Sequence, residues 1–255
     1  ERSERQALGL AGADTAAYRV WIGDERAGLE PDGRTHRLVA RADAFAFDLA
    51  LVPEKPPAIH GEGGVSQKSA GVGNASHYYS YTRLATRGRL VLGRDTLAVE
   101  GRSWMDHEFS SDRLSATHAG WDWFSVQLDD GTDLMLYQLR LKSGGLEPNS
   151  SGTLIAADGR TRRIAREGFT IGSRGTWRSP HTGGVYPSSW TVSVPGERLE
   201  LRLEPVLADQ ELVVRSMGGI AYWEGAVRIT GTHAGRPVSG QGYVELTGYT
   251  GRTPF

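Results

Sequence analysis

The sequence predicts an all-β protein of antiparallel strands closed as a sandwich or a barrel. Three observations carry this. Glycine is abundant, at 34 of 255 residues. It falls between short apolar runs without a period, the pattern of a chain with many turns. Residues 121–128 and 133–140 are strand-like runs joined by Asp129-Asp130-Gly131, and Asp-Gly between two such runs is a strong hairpin signal. No stretch holds a helical period beyond a turn or two.

The elements follow in order. Residues 1–17 are rich in Ala and Gly, enough for one helical turn. Strand-like segments then cover 18–22, 37–42 and 44–51, the last with Phe45, Phe47 and Leu49 on one face. Pro53, Pro56 and Pro57 make a stiff break, because proline has no N–H to give a ladder. Residues 60–76 are a long Gly/Ser loop of the length that is often functional or mobile. Strands are expected at 78–84, 88–92 and 96–104, then in the 121–140 hairpin. Further strands are expected at 152–155, 169–171, 188–194, 198–203, 211–215, 221–230 and 238–247. Many of the breaks between them carry Gly or Pro, such as Pro195-Gly196.

Composition excludes several functions. Lys+Arg number 29 against 30 Asp+Glu, a net charge of -1, so no global field draws in nucleic acid or an anionic membrane. There is no cysteine, which removes disulfides, thiolate zinc sites and cysteine nucleophiles. The longest apolar runs, such as 134–136, are far too short for a transmembrane segment. The nucleophile-elbow, zinc-protease, P-loop and dinucleotide motifs are absent, and the seven histidines lie far apart, so no metal and no cofactor is expected. The first residue is Glu, so a processed or trimmed chain is expected, in which a signal peptide would not be visible.

Four clusters carry chemistry. In 121–128 one face shows Trp121, Trp123, Ser125 and Gln127, the other Asp122, Phe124, Val126 and Leu128. Such mixed faces suit a barrel enclosing a ligand, or strands whose Trp side chains keep a polar tip wet. Trp104-Met105-Asp106-His107-Glu108 places Trp104, Asp106 and Glu108 on one face of an extended chain, with His107 on the other. A carboxyl held against Trp104 is desolvated and becomes a general acid; otherwise these acids bind turn N–H groups or an Arg. His77-Tyr78-Tyr79-Ser80-Tyr81 is too aromatic for an ordinary solvent-facing strand, although stacked core tyrosines explain it equally. In Tyr222-Trp223-Glu224-Gly225, Glu224 is another candidate acid or a partner of Arg228, and Gly225 suggests a close backbone approach.

The segments GRSWMDHEFS (101–110), GWDWFSVQLDDGTDLMLYQLR (120–140), YPSSWTVSVPG (186–196), ADQEL (208–212), YWEG (222–225) and GQGYVELTGY (240–249) carry a resemblance, with GEGGVSQK (61–68) and SHYYSYTRL (76–84) upstream. Over about residues 60 to 250 the chain resembles the lipocalin-like superfamily of carotenoid 1,2-hydratases and bacterial AttH-type predicted secreted hydrolases. The resemblance implies two packed lipocalin-like β-barrels, divided here at 1–112 and 113–255, and a periplasmic or secreted location. It implies an apolar, isoprenoid- or polyene-like ligand and, in the hydratase branch, addition of water to an isolated C=C bond without a cofactor. Relatives normally open with a Glu-Trp-Trp-Tyr-type motif that this chain lacks. The first barrel is therefore expected to want its opening strands, supplied by a second chain or lost with a cleaved segment.

The candidate catalytic residues are Asp106, His107 and Glu108. The candidate ligand-binding residues are Trp104, Tyr78, Tyr79, Trp121, Trp123, Tyr137, Trp223 and Glu224. In the expected mechanism Asp106 protonates the alkene, Trp104, Trp121 or Tyr79 shields the carbocation, and His107 or Glu108 orients the attacking water. The rival readings are a non-catalytic carrier of a hydrophobic ligand, in which those acids are structural, and a pericyclase or isomerase.

Overall fold

The computed structural model describes residues 7–14, 16–110, 115–214 and 219–251. Residues 1–6 of the expected N-terminal turn and Arg215 of an expected strand lie outside them. The fold is all-β, and it divides into two units: Glu1–Pro56 with Tyr81–Met105, and Pro57–Ser80 with Asp106–Phe255. This differs from a single cut after residue 112, because two long strands each belong partly to one unit and partly to the other.

In the first unit, β1 (Ala11–Ala13), β2 (Arg19–Ile22), β3 (Glu25–Leu29), β4 (His36–Arg41) and β5 (Phe45–Pro53) pair in chain order as an antiparallel meander. After the proline break come β6 (Ala58–Ile59), β7 (Val65–Gln67), β8 (Ala75–Leu92) and β9 (Asp95–Phe109). The later part of β8 pairs with β5, from Pro53↔Leu84 to Phe45↔Leu92. The 60–76 loop is not wholly irregular, since β7 adds to the first part of β8 through Val65↔His77 and Gln67↔Ala75.

The second unit continues with β10 (His118–Leu128), β11 (Asp133–Leu141), β12 (Ser151–Ile155), β13 (Thr161–Ile164), β14 (Thr170–Ser173), β15 (Thr176–Arg178) and β16 (Val185–Pro187). It ends with β17 (Trp190–Val194), β18 (Leu199–Pro205), β19 (Glu211–Val214), β20 (Ile220–His233) and β21 (Arg236–Thr247). The sheet runs β13-β12-β11-β10-β21-β20-β18-β17-β14, with β19 on β20. Its two end strands are neighbours in sequence, joined by residues 165–169 with a 3-10 turn at Arg166–Gly168. Such a link spans at most about 20 Å, so the sheet must curl until its ends nearly meet. Among the described residues no ladder joins β13 to β14, so the expected closed barrel is replaced by a curled, lipocalin-like sheet. Ile164 and Phe169 fill that seam with side chains instead of backbone hydrogen bonds.

Alternation decides what lies inside. In β18, Leu199, Leu201 and Leu203 are buried while Glu200, Arg202 and Glu204 face water. Phe124, Val126 and Leu128 of β10 meet Leu134 and Leu136 of β11, and Val244 and Leu246 of β21, in one core. Trp190 stands edge-on to Phe124 at 5.9 Å and 5.7 Å from Trp223. The interior is thus packed with rings and branched aliphatics, and the expected ligand space inside the sheet is filled. Trp223, a candidate ligand residue, is 1% exposed in this core, its indole N–H donating to the Ala208 carbonyl at 2.9 Å.

Gly225 explains how that indole fits. A Cβ built there would overlap the Trp223 ring, so the ring lies across bare backbone. Gly225→Ala should therefore cost about 1–3 kcal/mol through overpacking. Urea unfolding should show a lower midpoint with an unchanged slope. An unchanged midpoint would contradict this packing.

Candidate functional site

The same alternation that buries Phe124 and Val126 sends Trp121 and Trp123 to the other face of β10. Register continues the row across the sheet. Tyr137 pairs with Trp123, Trp123 with Glu245, and Glu245 with Glu224. Leu139 stands beside Trp121 in the next row. Over this outer face lies a cavity of about 380 Å³, whose floor is Trp121, Trp123, Tyr137, Leu139 and Glu245. Its walls come from Lys68–Ser69, from Asn74 to Ser76 with Tyr78, and from Asp106 with Glu108 to Ser110.

Three carboxyl groups enter this space. Trp121 donates its indole N–H to Glu245 Oε1 at 2.7 Å. Burial, reinforced by the neighbouring charge of Glu224, pushes the Glu245 carboxyl up to about 8. The Trp121 bond opposes that rise, while Asp106 and Glu108 add to it. Glu108 accepts from Lys68 Nζ at 2.6 Å and from Ser76 Oγ at 2.5 Å. The Lys68 ammonium lies 4.2 Å from the centre of the Tyr137 ring, a cation–π contact. Asp106 accepts a hydrogen bond from Ser80 Oγ. The Tyr78 hydroxyl accepts the Trp123 indole N–H at 3.0 Å. Burial, followed by the charges of Asp106 and Glu108, holds the Tyr78 hydroxyl well above its ordinary value, so it stays neutral.

Of the residues singled out in the sequence, Asp106, Glu108, Tyr78, Trp121, Trp123 and Tyr137 line this one cavity. His107 and Tyr79 do not. His107 Nδ1 hydrogen-bonds the Tyr79 hydroxyl at 2.9 Å, and its ring lies 5.2 Å from Phe109. Trp104 falls in the first unit. Glu224 stands next to Glu245 in register, and burial raises its carboxyl, a rise the Tyr243 hydrogen bond opposes. Asp106 is exposed, so the desolvated acid expected against Trp104 is not found there. The desolvated acid is the half-buried Glu245, which sequence reasoning missed. A signal existed in Val244-Glu245-Leu246: with both neighbours in the core, the glutamate must face the aromatic side.

The sequence model of the AttH-like family matches residues 1–249. The chain belongs to the AttH-like family. A crystal structure of an AttH from Nitrosomonas europaea superposes with a TM-score of 0.82 at 38% identity, over 91% of this chain and 69% of that one. Kievitone hydratase from Nectria haematococca superposes at 0.75 with 19% identity, over 91% and 70%. CghA bound to Sch210972 superposes at 0.57 with 14% identity, over 92% and 72%. At these lower identities the likeness is one of fold. No curated protein matches the chain at comparable significance.

Glu245 makes stability depend on pH. Its carboxyl, ordinarily at 4.5, holds its proton up to about 8 in the folded protein. The folded state therefore binds more protons than the unfolded state in that window. The resulting stability is complete below the unfolded value and is lost as pH rises through the folded one. Relative to Glu245→Gln, the AttH-like chain should lose up to about 1.4 kcal/mol per pH unit across that window. Parallel denaturant titrations of both proteins at each pH would measure it, and parallel curves would refute the desolvated acid.

Proposed function

We propose that this AttH-like protein binds a compact apolar alkene on the outer face of its second sheet and hydrates the C=C bond without a cofactor. The observation that carries the reading is the pairing of a half-buried Glu245, whose carboxyl is pushed up to about 8, with an exposed Asp106 in one aromatic-lined cavity. Glu245 gives its proton to one alkene carbon, and the cation forms on the other. The ring faces of Trp121, Trp123 and Tyr137 shield that cation. A water attacks it, and Asp106 takes the proton the water releases. The product is an alcohol one water heavier, and solvent carries the proton from Asp106 back to Glu245. His107 has no part, because its ring faces away with Tyr79.

Size narrows the substrate. At roughly 30 Å³ for each small group, the cavity holds about a dozen heavy atoms. A prenyl-sized alkene fits, whereas a long polyene must protrude. That the solved hydratase shares the fold supports hydration over carriage. The resemblance to secreted bacterial members supports a periplasmic or extracellular setting. Among the described residues, no helix is long and apolar enough to cross a membrane.

Incubation with a panel of short isoprenoid alkenes in ¹⁸O-water, read by mass spectrometry, tests this. Turnover should add one labelled water and decline as pH passes the Glu245 value of about 8. Glu245→Gln should lower it by about 10²–10⁴-fold, the usual worth of a general acid. Full activity in Glu245→Gln would reject the assignment. Recovery of an unchanged ligand from every incubation would favour the carrier.

A further inference from the structure

Behind Asp106 lies a buried hydrogen-bond chain that the cavity chemistry above does not use. His60 is 1% exposed, Ser80 0% and Thr153 2%. His60 Nε2 lies 2.7 Å from Ser80 Oγ, and His60 Nδ1 lies 2.9 Å from Thr153 Oγ1. Ser80 Oγ in turn donates to Asp106 Oδ1. The four side chains form a line from the outer face of β12, the face that carries Tyr137 on β11, to the cavity wall.

Hydrogen-bond counting gives this line a direction. An ionised Asp106 can only accept, so Ser80 spends its single proton on it. Ser80 Oγ then offers only lone pairs to His60, and Nε2 must carry the ring proton. Nδ1 is left as an acceptor for the Thr153 hydroxyl. When Asp106 holds a proton and donates it to Ser80, every bond reverses: Ser80 donates to Nε2, and Nδ1–H donates to Thr153. The ring must stay neutral in both arrangements, since an imidazolium has no acceptor nitrogen. Burial, with help from the charge of Lys68, holds His60 down at about 3, which meets that requirement. The other groups facing the chain are Tyr78, whose ring is 4.3 Å from His60, and Glu245 and Glu108, which share the cavity with Asp106.

We propose that His60 is a positioning residue which, through Ser80, aims the Asp106 carboxylate at the attacking water and changes tautomer when Asp106 takes the proton. The role in water activation rests on the hydration reading above; the coupling between tautomer and carboxylate does not. Asp106 keeps the proton it takes from the water, Ser80 turns its hydroxyl to Nε2, and the imidazole gives up its Nε2 proton to solvent and takes one from solvent at Nδ1, so the ring stays neutral throughout.

Long-range ¹H–¹⁵N correlation spectra of histidine-labelled protein read the tautomer with no substrate present. In the wild type, His60 should be neutral and Nε2-protonated from about pH 5 to pH 8, unlike an ordinary solvent histidine near 6.5. Asp106→Ala removes the acceptor at an exposed position, so Ser80 should turn its hydroxyl to Nε2 and the ring should become Nδ1-protonated. A wild-type His60 that is Nδ1-protonated, or charged at pH 6, would overturn the proposal, and needs no variant to be seen. So would a tautomer unchanged in Asp106→Ala. With a substrate in hand, His60→Gln should lower kcat by about 10-fold and leave KM unchanged, because His60 acts through Ser80. Loss of hydration with the tautomer behaviour intact would discard the reaction and keep the chain.

Discussion

Strand β10 has no solvent face, and most of what is described above depends on that. Its inward side chains, Phe124, Val126 and Leu128, belong to the packed interior. Its outward side chains, Trp121 and Trp123, are the floor of the cavity. A period of two residues ties the faces together: a slip of one position would put indoles into the core and Phe124 into the ligand space. Two neighbours hold the register, β11 from His118↔Leu141 to Gln127↔Asp133 and β21 from Asp122↔Leu246 to Leu128↔Gly240. The cavity floor is therefore held by a strand paired along both edges, which fixes where its side chains point.

A filled interior has a further consequence. The rings of Phe124, Trp190 and Trp223 pack together inside the curled sheet, and the aromatic-lined cavity lies on its outer face. There the segment from Pro57 to Ser80 and the end of β9 supply the opposite wall. That arrangement desolvates one carboxyl and leaves another wet. Glu245 sits on the sheet under the covering segment and keeps its proton, whereas Asp106 lies exposed on the wall. Two carboxyl groups of one cavity thus stand in different surroundings, one desolvated on the sheet and one exposed on the wall.

Much of this was legible in the residues. The Asp-Gly hairpin, the alternation in β5 and β10 and the Gly- and Pro-bearing breaks announced an antiparallel all-β chain. The face assignments in the Trp104–Glu108 run hold for Asp106, Glu108 and His107, because an extended strand leaves little freedom in where side chains point. Trp223 shows the limit. An aromatic beside a glutamate reads the same whether it faces a ligand or the core. Only the bare backbone of Gly225 and the rings of its neighbours decide which.

By itself, then, the sequence determined the strand class, the turns, the family resemblance and the sidedness of each strand, since all of these follow from local geometry and side-chain periodicity. Tertiary structure alone decided which carboxyl is desolvated and held above its ordinary value. Glu245 is desolvated by groups far from it in the chain, Trp121 and the covering segment among them. Burial and the field of neighbouring charges depend on distance in space, and strand periodicity says nothing of that. The same holds for His60 and Thr153, which are 93 positions apart in the chain and 2.9 Å apart in the fold.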